Sequence, residues 1–203
     1  GPGVSLMGEF LGLAYYAEIP TVIFDIQRTG PSTGLPTRTM QGDLMKAAYA
    51  SHGDCKHVCL YPSSVAEAYE FAQSAFDLAE GLQTPVFVMC DLDLGMNLWA
   101  SAPFPYPEKP MDRGKVLTQE DLAKASSFHR YVDRDGDGIT PRTLPGTPGR
   151  RGAYFTRGSG HDELGRYTED AEGYRKVVER LLRKWETIRR EGPAPEILSK
   201  GSP

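Results

Sequence analysis

Arg28 stands two residues past the apolar run TVIFDI (residues 21–26), ahead of TGPSTG (29–34) and the QGDL of residues 41–44. A guanidinium at the end of an apolar strand must meet an anion or water. It can grip a carboxylate through two parallel hydrogen bonds, which fixes orientation as well as charge. The glycines and small hydroxyl residues that follow let backbone and ligand come close. The chemistry this implies is capture of a small organic acid at the carboxyl end of a strand, where open parallel sheets place their ligands. The same residues also suit a surface loop whose Arg28 pairs with Asp25 or Asp43. Residue types alone leave both readings standing.

Other segments offer chemistry with weaker signals. GPGVS (residues 1–5) precedes a helix, so its backbone N–H groups could face an anion or cofactor, or the turn could simply open the helix. GSGHDE (158–163) sets His161 beside Asp162 and Glu163 in a glycine-flexed loop. It suits proton transfer or substrate orientation, and equally a hydrogen-bonded loop anchor. DRDGDG (133–138) mimics the start of a calcium loop. Counted from Asp133, however, position twelve is Leu144, where a bidentate Glu is required, so an acidic turn is expected. His52, His57 and His129 lack ligand spacing and read as structural. Cys55, Cys59 and Cys90 are too few for a four-thiolate cluster and read as reduced, buried thiols of a cytosolic protein; no metal site is expected.

The elements that position these residues alternate between helix and strand patterns. Residues 6–17 space Leu6, Phe10, Leu13, Ala14 and Ala17 as one helical face, with Gly8 and Gly12 suggesting close packing. Residues 21–26, 57–61 and 85–90 are strands, the first apolar enough to be buried on both faces. Residues 43–51 form a short helix. Ser64 and Glu67 match a capping box opening a helix that buries Val65, Ala68, Tyr69, Ala72, Ala75, Phe76 and Ala79 and ends near Gly81. Strands joined by helices imply parallel crossovers and a covered sheet, although three strands are too few for a complete doubly wound domain. Residues 101–167 are Pro- and Gly-rich, a long irregular arm with one short helix near 119–126. Residues 168–191 form an amphipathic helix with Tyr174, Val177, Val178, Leu181, Leu182, Trp185 and Ile188 as its stripe, and 192–203 read as a linker to a further domain.

The 203 residues are 39% hydrophobic and 25% charged, which suits a globular chain. A net charge of -4 argues against nucleic acid, which demands a clustered basic surface. The basic residues between Arg175 and Arg190 are interrupted by Glu179 and Glu186 and read as a solvated helix face. No run is long enough to span a membrane, and no signal peptide is visible. Because the first residue is Gly1, a cut or incomplete N-terminus is expected.

Taken together, GPGVSLMGE (1–9), FDIQR with GPSTG (24–34), QGDL (41–44), CDLDLGMN (90–97), DGDGI with RTLPG (135–146) and TRGSGHDE (156–163) resemble the α subunit of 2-oxoacid:ferredoxin oxidoreductases, of the 2-oxoglutarate type. The resemblance runs from Gly1 to about Trp185. It implies that residues 1–100 are the C-terminal part of an α/β, parallel-sheet pyrimidine-binding domain for thiamine diphosphate. It implies that Arg28 grips the 2-oxoacid carboxylate, that Gly1, Pro2 and Gly3 lie near the cofactor, and that Gln41 and Asp43 order the Arg28 loop. His161 and Asp162 remain possible site residues.

The implied partners are a β subunit that shares the thiamine diphosphate and its Mg2+ and carries a [4Fe-4S] cluster, with ferredoxin as electron acceptor and coenzyme A as co-substrate. The implied reaction is reversible oxidative decarboxylation of a 2-oxoacid to its acyl-CoA in the cytoplasm. No catalytic residue is expected within this piece, because the family's carboxylate that contacts the aminopyrimidine lies before Gly1, so the piece alone should be inactive. The rival readings are the pyrimidine domain of a non-oxidative thiamine enzyme, such as an acetolactate-synthase-like protein, and a non-catalytic module holding calcium through Asp133, Asp135 and Asp137.

Overall fold

Runs rich in β-branched and aromatic residues become three parallel strands in the computed structural model, which describes residues 1–195. Strands β1 (Thr21–Gln27) and β2 (Val58–Leu60) flank β3 (Pro85–Asp91) in the order β1-β3-β2. The β1–β3 register runs from Thr21 opposite Pro85 to Gln27 opposite Asp91. Parallel neighbours need crossovers. The first contains α3 (Leu44–Ala48) and the second α4 (Val65–Leu82). Helices α1 (Pro2–Leu6) and α2 (Gly8–Tyr16) precede β1. After β3 come α5 (Leu92–Met96), α6 (Gln119–Lys124), a 3-10 turn at Arg150–Gly152 and α7 (Ala171–Glu191).

The sheet is covered on both faces. Ile23, Phe87 and Met89 pack with Val4, Leu11, Ala47 and Ala50 of α1–α3 and the residues just after them. Val86, Val88, Cys90 and Leu60 pack with Ala75 and Ala79 of α4 on the other side. The central strand β3 is therefore buried through both faces. The expected double burial of β1 does not hold. This strand lies at the sheet edge, and Phe24 and Ile26, on the face that α4 covers, are exposed because α4 rests chiefly on β3.

The helix expected at 6–17 starts earlier, with Pro2 at a position that needs no N–H, and breaks at Met7. Its segment carries two apolar faces. The sheet takes the one holding Val4, Leu11 and Ala14, leaving Leu6 at 86% and Phe10 at 72% exposure. Of the two glycines only Gly12 is closely packed, since a Cβ there would lie 2.4 Å from Ser51 Oγ; Gly8 faces open space. In α4 the inward line is Ala75, Ala79 and Leu82, and Phe76 is exposed.

The α4 cap is shifted from the expected box. Ser64 Oγ accepts from Glu67 N, but the Glu67 carboxylate accepts from Ser63 N at 2.7 Å instead of closing on Ser64. A reciprocal box forms at Thr118 and Asp121, where it opens α6. Helix α4 ends at Gln83, in the left-handed conformation, and Gly81 lies within it. There the arm crosses so closely that a Cβ on Gly114 would sit 2.7 Å from Gly81 Cα.

The arm is fastened along α4. Phe104 stacks on Tyr69, Asp112 N donates to Asp77, and Arg113 and Arg142 both bind Glu80. Its acidic turn then docks on α7. Thr187 Oγ1 donates to Asp137 O, and Gly138 sits so near the helix that a Cβ would come 2.2 Å from Lys184 N.

On α7 the stripe buries Val177, Leu181 and Ile188, whereas Tyr174 and Leu182 are half exposed. The reading of its basic residues as a solvated face is corrected at two positions: Arg180 is 2% and Lys184 is 1% exposed. Both bind Glu18, which follows α2. Arg180 Nη1 and Nη2 reach the carboxylate at 3.0 and 2.5 Å, and Lys184 Nζ at 2.9 Å. Glu18 adopts a left-handed conformation (φ 57°), usually filled by glycine, and its carboxylate partners offset the strain. Among the described residues no helix is long and apolar enough to cross a membrane. Of the linker expected at 192–203, residues 196–203 lie outside the described residues.

Candidate functional site

At the carboxyl end of β1 the structure brings Arg28 together with Gly1 and Pro2. They share a cavity of about 670 Å³ with Ser5, the Gly30–Pro31–Ser32 bend, Asp43 and Lys46. That size is within the range of small-molecule clefts, about 300–1,000 Å³. Among the described residues neither Asp25 nor Asp43 pairs with Arg28. Asp43 Oδ2 accepts from the Gly1 nitrogen at 2.6 Å, and Asp25 Oδ1 lies 3.8 Å from that same nitrogen. Among the described residues Arg28 forms no ion pair, so its guanidinium is available to the cavity.

The Arg28 loop is closed by its own backbone. Thr29 N donates to Arg38 O at 2.9 Å, and Leu35 N donates back to Thr29 O at 3.0 Å. Gly34 makes this fold possible. It has φ +51°, and a Cβ there would lie 2.0 Å from Thr29 O. The loop is tied to the sheet by Gln41 Nε2, which donates to Asp91 Oδ2 at the end of β3 at 3.0 Å. Asp43 N donates to Gln27 Oε1 at 3.1 Å, while Gln27 Nε2 donates to Cys90 O at 3.3 Å.

Gln27 was not singled out in the sequence. Its signal is the alternation Ile23, Asp25, Gln27, which puts two polar side chains on the buried face of β1 at its far end. Burial holds the Asp25 carboxyl above the usual carboxylate range, with the nearby Asp43 acting in the same direction and Lys46 opposing. Lys46 was missed as well. It lies three residues after Asp43 on α3, and its Nζ donates to Gly1 O at 2.7 Å and to Ser5 Oγ.

The remaining candidates lie elsewhere. His161 is fully buried, stacked on Tyr131 with centroids 4.0 Å apart and tilted against Tyr16 at 5.0 Å. Burial depresses its pKa, and its Nδ1 lies 3.0 Å from Asp162 O. The Asp162 carboxylate accepts from Leu164 N, Arg166 N and Arg166 Nε. This arrangement fastens the arm, and neither residue lines the Arg28 cavity. In the acidic turn, Asp133 accepts from Gly136 N and Gly138 N, and the Lys115 ammonium sits between Asp135 and Asp137. A lysine thus holds the place where a cation would have to sit. Cys55 and Cys90 are buried and free, and Cys59 is partly buried.

Residues 1–178 match the family model described as pyruvate flavodoxin/ferredoxin oxidoreductase, thiamine diphosphate-binding. The chain belongs to this family. A 2-oxoglutarate synthase subunit KorA of Methanocaldococcus jannaschii is 54% identical over 95 residues, covering 47% of this chain and 26% of that protein. A 2-oxoacid:ferredoxin oxidoreductase subunit alpha of Sulfurisphaera tokodaii is 38% identical over 198 residues, covering 95% and 30%. The 2-oxoglutarate:ferredoxin oxidoreductase of Magnetococcus marinus, solved with 2-oxoglutarate, coenzyme A and succinyl-CoA bound, superposes with a TM-score of 0.83 at 30% identity, covering 96% of this chain and 32% of that one. The chain therefore spans roughly a quarter to a third of the length of these relatives. Within the family's thiamine diphosphate-binding segment, the Arg28 cavity is formed by residues 1–46, inside the matched region.

Proposed function

We propose that this chain is part of the α subunit of a thiamine-diphosphate-dependent 2-oxoacid:ferredoxin oxidoreductase acting on 2-oxoglutarate. The observation that carries the reading is the Arg28 guanidinium, without an ion-pair partner among the described residues, in a cavity it shares with the Gly1–Pro2 turn at a strand end. The chain's residues fit the cofactor in one respect that bears on binding: Gly1 and Pro2 line the cavity that holds Arg28, while Gly3, exposed beside them, does not line it. Thiamine diphosphate, when bound, supplies the nucleophilic carbon and the electron sink that 2-oxoacid decarboxylation requires.

The work of this chain is positioning. Gly1 and Pro2 form one wall beside the pyrimidine, with Gly3 next to them on the helix. Arg28 holds the substrate carboxylate by paired charge-assisted hydrogen bonds and so sets the orientation of the adjacent carbonyl. Gln41 and Asp43, with Gln27, keep the Arg28 loop seated on β1 and β3. Residues 1–100 form part of the pyrimidine-binding domain, 101–167 the arm and 168–191 the helix that clamps it.

In the whole enzyme a β subunit supplies the Mg2+-diphosphate half and a [4Fe-4S] cluster, ferredoxin takes the electrons and coenzyme A takes the acyl group, reversibly and in the cytoplasm. The piece alone is inactive. In the complete α/β enzyme, Arg28→Ala should lower kcat/KM for the 2-oxoacid while thiamine diphosphate still binds. Removing one member of a desolvated charge pair costs about 2–5 kcal/mol, roughly thirtyfold to several thousandfold. A loss smaller than tenfold overturns the assignment.

A further inference from the structure

We infer that Lys46 is a specificity-determining residue, the anchor for a second carboxylate on the substrate. The inference rests on the reading of Arg28 as the first anchor. Two side-chain cations line the cavity, Arg28 from the end of β1 and Lys46 from α3. Among the described residues Asp43 is the one acidic side chain lining it, and its carboxylate lies 2.6 Å from the Gly1 nitrogen, a neutral peptide N–H in the longer subunit that can still donate to it. A monocarboxylic 2-oxoacid needs one cation. A 2-oxoacid with a distal carboxylate needs two, and the Arg28 and Lys46 cations arise from different elements that line the same cleft of about 670 Å³.

Lys46 is also held in place. Its ammonium donates to Gly1 O at 2.7 Å and to Ser5 Oγ, leaving the third N–H free for an incoming acceptor. Both acceptors are neutral, so the positive charge is not cancelled by the groups that hold it. The side chain is half-buried, which lessens solvent screening of an added carboxylate. A long side chain already immobilised loses little further entropy on binding, so the charge-assisted bond is realised nearly in full.

The test compares 2-oxoglutarate with 2-oxobutanoate, which lacks the distal carboxylate, in the complete α/β enzyme. Lys46→Gln removes the charge but retains an N–H donor for Gly1 O; Lys46→Arg retains the charge. With Lys46→Gln, the ratio of kcat/KM for 2-oxoglutarate to that for 2-oxobutanoate should fall about tenfold to a hundredfold, mainly through KM. This is the range expected for one charge-assisted hydrogen bond. Lys46→Arg should retain most of the ratio. An unchanged ratio in Lys46→Gln, or an equal loss on both substrates, overturns the inference and makes Lys46 a mere support of the Gly1 turn. Failure of Lys46→Gln to assemble, with Lys46→Arg assembling but losing the ratio, overturns it too. Failure of the Arg28 reading shows separately, as undiminished use of both substrates by Arg28→Ala.

Discussion

Replacing Glu18 by Gln should release α7 from the body of the domain. The Glu18 carboxylate is fully buried and takes three hydrogen bonds, two from Arg180 and one from Lys184, while Arg130 Nη2 donates to Glu18 O at 3.0 Å. Gln keeps the shape but loses the charge. Its amide NH2 would face donors, leaving two buried cations without a counter-charge. Breaking a buried pair by removing one partner costs about 3–5 kcal/mol. That is roughly two to four powers of ten in the local opening equilibrium. The assay is hydrogen exchange of the α7 amides in the full-length subunit, which reads such local opening directly. A drop in protection of less than about tenfold, equal to about 1.4 kcal/mol, would refute the idea that Glu18 is what holds α7 in place.

The pH dependence follows from the same cluster. Burial opposes the Glu18 charge, but Lys184, Arg180 and Arg130 together outweigh it and hold the carboxyl well below its ordinary value. One carboxylate cannot satisfy three cations, however. Burial, aided by the repulsion of Arg180 and Arg130, brings the Lys184 pKa down to about 8 despite the attraction of Glu18. Both groups are depressed in the folded state. The Glu18 contribution is therefore complete above its unfolded value, about 4.3, and is lost as pH falls toward the folded one. For Lys184 the unfolded chain binds more protons between pH 8 and about 10.4, so α7 protection should rise across that window as pH increases.

Gly34→Ala should disrupt the Arg28 loop, because the residue has positive φ and its Cβ would enter Thr29 O. A KM for the 2-oxoacid raised at least tenfold, with no change in the thermal midpoint beyond a few degrees, is the expected result; an unaltered KM would show the loop geometry to be irrelevant to binding. Ser64→Ala removes the acceptor for Glu67 N at the start of α4 and should cost about 0.5–2 kcal/mol, read as a lower denaturation midpoint.

What the sequence determined by itself are the features set by near neighbours. Apolar, β-branched and aromatic runs at 21–26, 57–61 and 85–90 marked the strands, because such side chains suit a pleated, at least half-buried surface. Ser64 marked the start of α4, and Val177, Leu181 and Ile188 gave α7 its buried stripe. Arg28 was legible because a charge just past an apolar strand has to be answered at the sheet's end. The tertiary structure decided what depends on distant partners. Nothing near Arg180 and Lys184 announces that they are buried; the carboxylate that permits it lies at Glu18, more than 160 residues earlier in the chain. Which of two apolar faces of residues 1–17 meets the sheet is settled by packing against Ile23, Phe87 and Met89, and whether Phe24 and Ile26 are covered follows from where α4 lies on the other side. Gln27 and Lys46 join the site only once β1, α3 and the Gly1 turn converge. Periodicity reports one element's preference for burial, whereas the choice among faces and the pairing of buried charges are energies shared between elements, and these exist only in the assembled fold.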